Sequence, residues 1–440
     1  MTPNPRSDVS DRPSASSAAA SIAQASAAMP SQRHTTWVIL ITALVARIII
    51  LAFTLVNYKH DWFFSRGVEM GYLANSLLHG LGYSSPFGGA TGPTAFIAPG
   101  YPTLIAAVFF VFGIYSYASA IVIMCLHILF GLATIWLMMH IAAELFDFRA
   151  ANLAGAFWAI ALPPLFLMTV FWDTNISACA LVAIVALALR CRSNPGTHLW
   201  IAIGATCAIV ALINPALLPS MLAILCWTAW HTWRANPRSP LLGVLTLVVL
   251  FAPWPIRNAV RFHAFIPLRS TVGFELWMGN QPGATGFLNE EVFPVKSKPE
   301  LARYIAQGEV AYTQGKTNEA KAYILAHRAI FLKLTVRRIF RFWSGTGNSP
   351  NSLIFAIHAS LTTLLGAAGL WFMFRRRLTS AAWLFSLPLL VFPLPYYITH
   401  AEFRYRIVID PLLTVLAAYA ITQMAAEKKP TPPPALPASA

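Results

Sequence analysis

Ile121-Val-Ile-Met-Cys-Leu-His-Ile-Leu-Phe-Gly-Leu-Ala-Thr-Ile-Trp-Leu-Met-Met139 carries no Asp, Glu, Lys or Arg along its length. Its apolar residues are not confined to the single stripe of a soluble amphipathic helix. A bilayer core about 30 Å thick takes about 20 such residues per helical crossing. The stretch reads as a transmembrane helix, and nearly uncharged blocks recur at 39–53 and 241–252. Of the 440 residues 57% are hydrophobic and 11% charged, whereas a soluble domain carries about 25% charged residues to face water. The composition describes an all-α polytopic membrane protein and excludes a soluble globular domain.

The formal charge of +15 would suggest nucleic acid in a soluble chain. Here the basic clusters Arg190/Arg192, Arg234/Arg238, Arg375–Arg377 and Lys428/Lys429 fall between apolar blocks, where Lys and Arg mark cytoplasmic loops. No nucleic-acid groove is implied. Hydropathy and loop charge together predict about ten spans, near 37–57, 117–143, 150–170, 175–191, 198–214, 215–233, 240–256, 351–374, 380–397 and 407–424. The block at 37–57 is too long for a signal-peptide core and reads as a retained first span. Residues 98–112 are apolar but short and begin with Pro99, Gly100 and Pro102. They read as a helix at or dipping into the outer surface. A full span there would put Arg375–Arg377 outside.

This divides the chain into a disordered cytoplasmic N-terminus (1–36), rich in Ser, Ala and Pro, and an N-terminal transmembrane module (37–256) with a first external loop (58–116). An external region (257–350), C-terminal transmembrane helices (351–425) and a cytoplasmic tail (426–440) follow. The stretch 327–343 patterns as a basic amphipathic helix, with Arg337, Arg338 and Arg341 placed to meet phosphate headgroups or simply to anchor the chain at the surface. Cys125, Cys179, Cys191, Cys207 and Cys226 lie in or beside apolar blocks. They offer no disulfide framework or metal-ligand spacing.

Asp and Glu number only 16. Asp61, Glu69, Asp173, Glu402 and Asp410 come from separate stretches and fall on the proposed outer face; acids held close to hydrocarbon are candidates for function. Glu69 opens a helix whose Met70, Leu73, Ala74, Leu77 and Leu78 form an apolar stripe opposite Tyr72, Asn75, Ser76 and His79. A carboxylate in the first turn is favoured by the helix dipole, which suits a general base, a metal ligand or merely a helix-terminal charge. Asp173 in Phe171-Trp-Asp-Thr-Asn175 is a functional acid or a helix cap. Arg47, in mid-span, must face protein, as partner to a buried carboxylate or as a ligand contact. The last external loop, Tyr396-Tyr-Ile-Thr-His-Ala-Glu-Phe-Arg-Tyr-Arg406, brings His400, Glu402, Arg404 and Arg406 together. Its arginines suit a lipid phosphate or pyrophosphate or pair with Glu402 and Asp410. Arg257, in Pro253-Trp-Pro-Ile-Arg-Asn258, is a further external cation.

Three stretches carry a resemblance. They are Glu69-Met-Gly-Tyr-Leu-Ala-Asn-Ser-Leu-Leu-His-Gly-Leu-Gly-Tyr-Ser84 with Ala98-Pro-Gly-Tyr-Pro102; Pro253-Trp-Pro-Ile-Arg-Asn258 with Phe265-Ile-Pro-Leu-Arg269 and Glu275-Leu-Trp-Met-Gly-Asn280; and Thr399-His-Ala-Glu-Phe-Arg-Tyr-Arg406. In order and topology the chain resembles the polyprenyl-phosphate-dependent GT-C glycosyltransferases, the family 39-like proteins related to protein mannosyltransferases and aminoarabinose transferases. The resemblance implies a GT-C-like fold and transfer of a hexose or pentose, with inversion, from a polyprenyl-phosphate donor. The acceptor would be an envelope glycan, lipid or protein on the outer face of the cytoplasmic membrane. It implies a catalytic acid in the first external loop. Arg66 stands at the aligned position, and Glu69 lies about one helical turn on. Asp173 matches a second acid. Arg257, His400, Glu402, Arg404, Arg406 and Tyr101 are expected to bind substrate, and a divalent metal between Glu69 and Asp173 is allowed but not demanded. A lipid-linked-sugar flippase, or a non-catalytic component of an envelope-assembly complex, remains the alternative.

Overall fold

Apolar blocks become a bundle because each must satisfy its backbone polar groups within its own helix when water is absent. The protein's structure, a computed structural model, describes residues 15–58, 63–347 and 352–427, with side chains from residue 32 on. Asp61, Lys428 and Lys429 lie outside that set.

The first helix, α1 (Ala15–Asn57), is followed by α2 (Val68–Leu78) and α3 (Gly100–Phe112), then α4 (Tyr117–Leu145), α5 (Phe148–Ile160) and α6 (Leu162–Leu167). Next come α7 (Thr174–Ser193), α8 (Thr197–Ile213), α9 (Leu218–Thr232), α10 (Arg238–Phe251) and α11 (Pro253–Phe262). The region expected to be external contributes α12 (Val272–Gly279), α13 (Lys298–Gln307), α14 (Glu309–Ala326) and α15 (Arg328–Ser344). The chain closes with α16 (Ser352–Arg375), α17 (Thr379–Val391), α18 (Leu394–Ile398), α19 (Phe403–Ile407) and α20 (Asp410–Glu427).

Helices thus occupy all ten predicted stretches. Among the described residues six are long and apolar enough to cross a membrane: Gln32–Asn57, Tyr117–Leu145, Thr174–Ser193, Arg238–Phe262, Ser352–Arg375 and Thr379–Ile398. The other stretches hold shorter or interrupted helices. The extended Ala161, ahead of Pro163-Pro164 in the first turn of α6, separates α5 from α6, and Asn214 with the 3-10 turn Pro215–Leu217 separates α8 from α9. The 13 residues of α3 extend only about 20 Å at 1.5 Å per residue, so it is shorter than a crossing, as its prolines imply. The first helix begins at Ala15, inside the stretch expected to lack structure. Its alanine-rich sequence favours helix, a propensity that the Ser and Pro content obscured.

Alternating helices sort the polar chain into two ends. One end is tied by Arg190 to His140 at 3.0 Å, Ser380 to His231 at 2.7 Å and Arg375 to Glu427 at 3.1 Å. It holds Arg190/Arg192, Arg234/Arg238 and Arg375–Arg377. The opposite end carries α2, α3 and the external region. Small residues let helices touch between the ends: a Cβ on Gly204 in α8 would collide with the Gly243 carbonyl of α10, the close approach that membrane interfaces favour. Arg47 is buried and donates to the Ala43 and Ala159 carbonyls at 3.0 and 3.2 Å. Its partners are backbone oxygens, not the carboxylate expected of it. A guanidinium with five N–H groups can meet carbonyls that a bent or interrupted helix leaves open.

The expected amphipathic pattern of α2 is present: Leu73 and Ala74 are buried, and Met70, Leu77 and Leu78 pack on Phe63, Phe64, Tyr101 and Phe109. The amphipathic helix at 327–343 also forms, as α15, but two of its arginines turn inward. Arg338 is fully buried and donates to the carbonyls of Gly279 and Ile398 and to Asn280 Oδ1; Arg341 donates to Thr285 O at 2.8 Å. They fasten the external region to the last loop and are unavailable to headgroups. Arg337 is exposed.

Candidate active site

The α2 helix starts at Gly67, whose φ of +71° is left-handed. Glycine alone adopts that conformation without a Cβ penalty. A Cβ there would stand 2.6 Å from the Phe171 carbonyl and 3.0 Å from the Trp172 ring. This contact seats the first turn of α2, with Glu69, directly against the turn that carries Asp173. Asp173 precedes α7 but makes no capping bond to backbone. Its Oδ2 instead accepts from Ser177 Oγ at 2.8 Å, and Asn214 donates to the same hydroxyl at 3.2 Å. Between function and cap, its side chain is therefore free of the capping duty.

These turns wall a cavity of about 960 Å³. Glu69, Asp173, Asn214, Arg269, Glu275 and His400 contribute polar groups to its lining, as do Arg404 and Tyr405; Glu290 and Lys296 approach from the external region. Tyr405 organises one wall. Its hydroxyl meets His400 Nε2 at 2.8 Å and accepts from Arg404 at 3.1 Å, while its ring stacks on Tyr396 at 4.3 Å. The Arg404 guanidinium lies 4.1 Å from the Trp172 ring centre, and its Nε is 3.4 Å from Glu402. Across the cavity, Glu275 joins His400 at 3.4 Å and Arg269 at 4.0 Å. One polar chain thus runs from Arg269 to Arg404 around the wall.

Burial and neighbouring charges shift the titratable groups in opposite directions. Burial raises the carboxyl pKa of Glu69, and Arg404 and Arg269 pull it back down. Burial likewise raises Asp173, against the Ser177 hydrogen bond and Arg404. Burial also raises Glu275, opposed by Arg269 and Arg404. His400 is lowered to about 3 by burial and by the cations Arg404 and Arg338. It is neutral near pH 7. For Arg404, burial acts to lower the pKa, but Tyr405 and Glu402 outweigh it and leave the group above its ordinary value. The site therefore holds a fixed cation opposite carboxyls whose proton affinity is raised.

Of the predicted site residues, Glu69, Asp173, His400 and Arg404 line this cavity. Glu402 stands behind Arg404 as its ion-pair partner. Tyr101, Arg406, Asp410 and Arg257 lie elsewhere. Tyr101 is buried, its hydroxyl 3.0 Å from His127 Nε2, because its helix packs inward on α4. Arg406 is buried, and its two terminal nitrogens donate to Asp410, Thr362, Thr363 and the Ala359 carbonyl. Asp410 is taken up by that pair and by His358 at 3.3 Å. Arg257 lines a separate groove. Arg269 and Glu275 complete the cavity without having been singled out as site residues. Their signal was their place in the quoted Phe265–Arg269 and Glu275–Asn280 stretches. A divalent ion between Glu69 and Asp173 would have two protein carboxylates; among the described residues no three His, Cys, Asp or Glu gather as ligands.

No family model and no curated protein matches the chain by sequence. Among solved structures, it overlays on the archaeal oligosaccharyltransferase AglB from Archaeoglobus fulgidus. In its complex with an inhibitory peptide and a dolichol-phosphate, that protein gives a TM-score of 0.53 at 12% identity, over 89% of this chain and 50% of the other. The apo form gives 0.52 at 12% identity, over 88% and 51%. The fold is GT-C-like. The chain spans about half the length of AglB, and at this identity the likeness concerns the fold alone. A weaker overlay, with ArnT from Cupriavidus metallidurans, gives a TM-score of 0.36 at 16% identity, over 84% of this chain and 77% of that one. Within the GT-C-like frame, the cavity sits where the ends of α6–α7, α8–α9 and α18–α19 meet the external layer.

Proposed function

We propose that the protein is a membrane glycosyltransferase. It moves a hexosyl or pentosyl group from a polyprenyl-phosphate-linked donor to an envelope glycan, lipid or protein. The observation that carries this reading is the single cavity holding Glu69 and Asp173, from separate chain segments, with Arg404 and Arg269. The short loops carrying Arg190/Arg192, Arg234/Arg238 and Arg375–Arg377 lie at the end opposite this cavity, so the positive-inside rule, which counts short loops between spans, assigns that end to the cytoplasm and the cavity to the exterior. On this assignment 58–116 and 257–350 are external, and the two termini are cytoplasmic. The protein resides in the cytoplasmic membrane.

Glu69 in its carboxylate form takes the proton of the acceptor hydroxyl as that hydroxyl's oxygen attacks the anomeric carbon. Asp173, held by Ser177, orients the acceptor. The bond from the anomeric carbon to the lipid phosphate oxygen breaks, and Arg404 and Arg269 stabilise the departing phosphate. A single displacement inverts the anomeric centre. The protein's own groups suffice for this scheme. A flippase would need ionisable groups and broken helices near the bilayer midplane, whereas mid-span Arg47 is held by carbonyls. The test is incubation of the purified chain with polyprenyl-phosphate sugars. Release of polyprenyl phosphate and an inverted glycoside support the reading, and release of neither at any acceptor overturns it.

A further inference from the structure

Outside the catalytic cavity, and sharing none of its lining residues, lies a groove of about 790 Å³. Its walls are the Gly- and Ser-rich turn containing Tyr83, Ser84, Ser85 and Gly92, and the face of α11 bearing Arg257 and Arg261. The two arginines are four residues apart, on one helix face, where like charges repel. The groove lining includes no Asp or Glu. The buried Glu309 carboxylate acts on Arg257 from behind Thr94, whereas no carboxylate pairs with Arg261 among the described residues.

Arg257 is fixed in place. Its NH1 donates to Thr94 O at 2.7 Å and Asn258 Oδ1 at 2.9 Å, and its NH2 donates to Tyr83 O at 2.8 Å. Those bonds leave part of its five-donor fork open. Arg261 is exposed and has no hydrogen-bond or ion-pair partner among the described residues. The groove opens at the end of the membrane-length segment Arg238–Phe262. Leu81 is 66% exposed and Val260 71% exposed beside the cations, and Ile256 adds to the same apolar rim. Arginine at the end of a span, with apolar surface below it, sits at headgroup depth.

We propose that this groove is a binding site for the phosphate of an anionic bilayer lipid. Arg261 and the open part of Arg257 hold the phosphate, and Leu81, Ile256 and Val260 lie along the acyl chains. The proposal stands apart from glycosyl transfer, since neither arginine touches the catalytic cavity. Bidentate guanidinium recognition favours phosphate, and the bilayer supplies it at this depth.

The test uses the full chain in phosphatidylcholine nanodiscs with increasing phosphatidylglycerol, with bound lipid counted by native mass spectrometry. Wild type is expected to retain phosphatidylglycerol about tenfold better than Arg261→Glu, the loss of one charge-assisted contact. Arg261→Gln should fall between them. Arg337→Gln, on exposed α15, should match wild type. Arg261 makes no internal bonds, so melting points of its variants should be unchanged. Displacement by glycerol phosphate but not glycerol supports headgroup recognition, and retention in the face of glycerol phosphate supports the acyl chains as the stronger determinant. Equal retention by wild type and Arg261→Glu, or an equal loss in Arg337→Gln, overturns the proposal.

Discussion

Glu69 and Glu309 begin in similar places and end differently. Both stand in the first turn of a helix in the layer outside the bundle. Glu309 is 5% exposed, and its carboxylate accepts from Thr94 Oγ1, the Ala95 amide, Ser270 Oγ and Tyr304 OH. It ties the loop that holds Thr94 and Ala95 to the helices and turn that hold Ser270 and Tyr304, and has no capacity left. Glu69 has no side-chain partner among the described residues and faces the cavity, where Arg404 and Arg269 are its opposing charges. A saturated carboxylate holds structure together; one recessed and unsaturated is ready to exchange a proton. The arginines of α19 repeat the lesson: Arg406 is consumed by Asp410, while Arg404, two residues earlier, lines the cavity.

Neutralising each glutamate tests that contrast most severely. Glu69→Gln should lower turnover by about 10²–10⁴-fold, the span for a lost general base, with an unchanged melting curve. Glu309→Gln should do the reverse. Its buried donors lose an anionic acceptor at about 2–4 kcal/mol, read as a lower melting temperature with near-normal turnover per folded molecule. Swapped outcomes would undo the comparison.

The arginine pair gives the next largest effect. Arg404→Ala should reduce turnover by about 10²-fold, as expected for a lost donor to a developing anion. Arg406→Ala should instead destabilise by about 3–5 kcal/mol, because Asp410 is left charged and buried. Parallel kinetics and thermal melts separate the two.

Acid sensitivity sharpens the picture further. Burial raises the Glu69 pKa, so its ionised fraction, and with it the rate, should fall as pH drops through a value above the ordinary 4.5. With His400 at about 3, no histidine limb should appear near pH 6.5. A profile flat from pH 4.5 to 8 in wild type, or unaltered in the residual activity of Glu69→Gln, contradicts the role given to Glu69. The smallest expected change is Gly67→Ala. A left-handed Ala costs about 1–2 kcal/mol, and its Cβ presses on the Phe171 carbonyl. Turnover should drop several-fold through misplaced Glu69, with substrate chemistry and pH profile retained.

The bundle was legible because its signals are local. Long uncharged blocks, the short proline-led α3 and the alternation of basic turns can each be read without knowing what touches what. Glu69, Asp173, His400 and Arg404 were legible as scarce charges at one membrane face. What escaped depended on chain closure. Arg269 and Glu275 join the cavity only because α12 folds back onto the last loop. Arg338 and Arg341 sit on a helix whose basic amphipathic pattern is the same whether it faces lipid headgroups or backbone carbonyls. Tyr101 and Arg406 looked available until packing enclosed them.

The account depends most on the cavity acids acting in catalysis. Single-turnover transfer from a radiolabelled polyprenyl-phosphate sugar, measured for wild type, Asp173→Asn and Glu69→Gln at matched folded concentration, tests this most directly. Product should form with wild type, slow sharply with Asp173→Asn and nearly vanish with Glu69→Gln. Undiminished transfer by both variants would show that the chemistry, if present, lies elsewhere in the molecule.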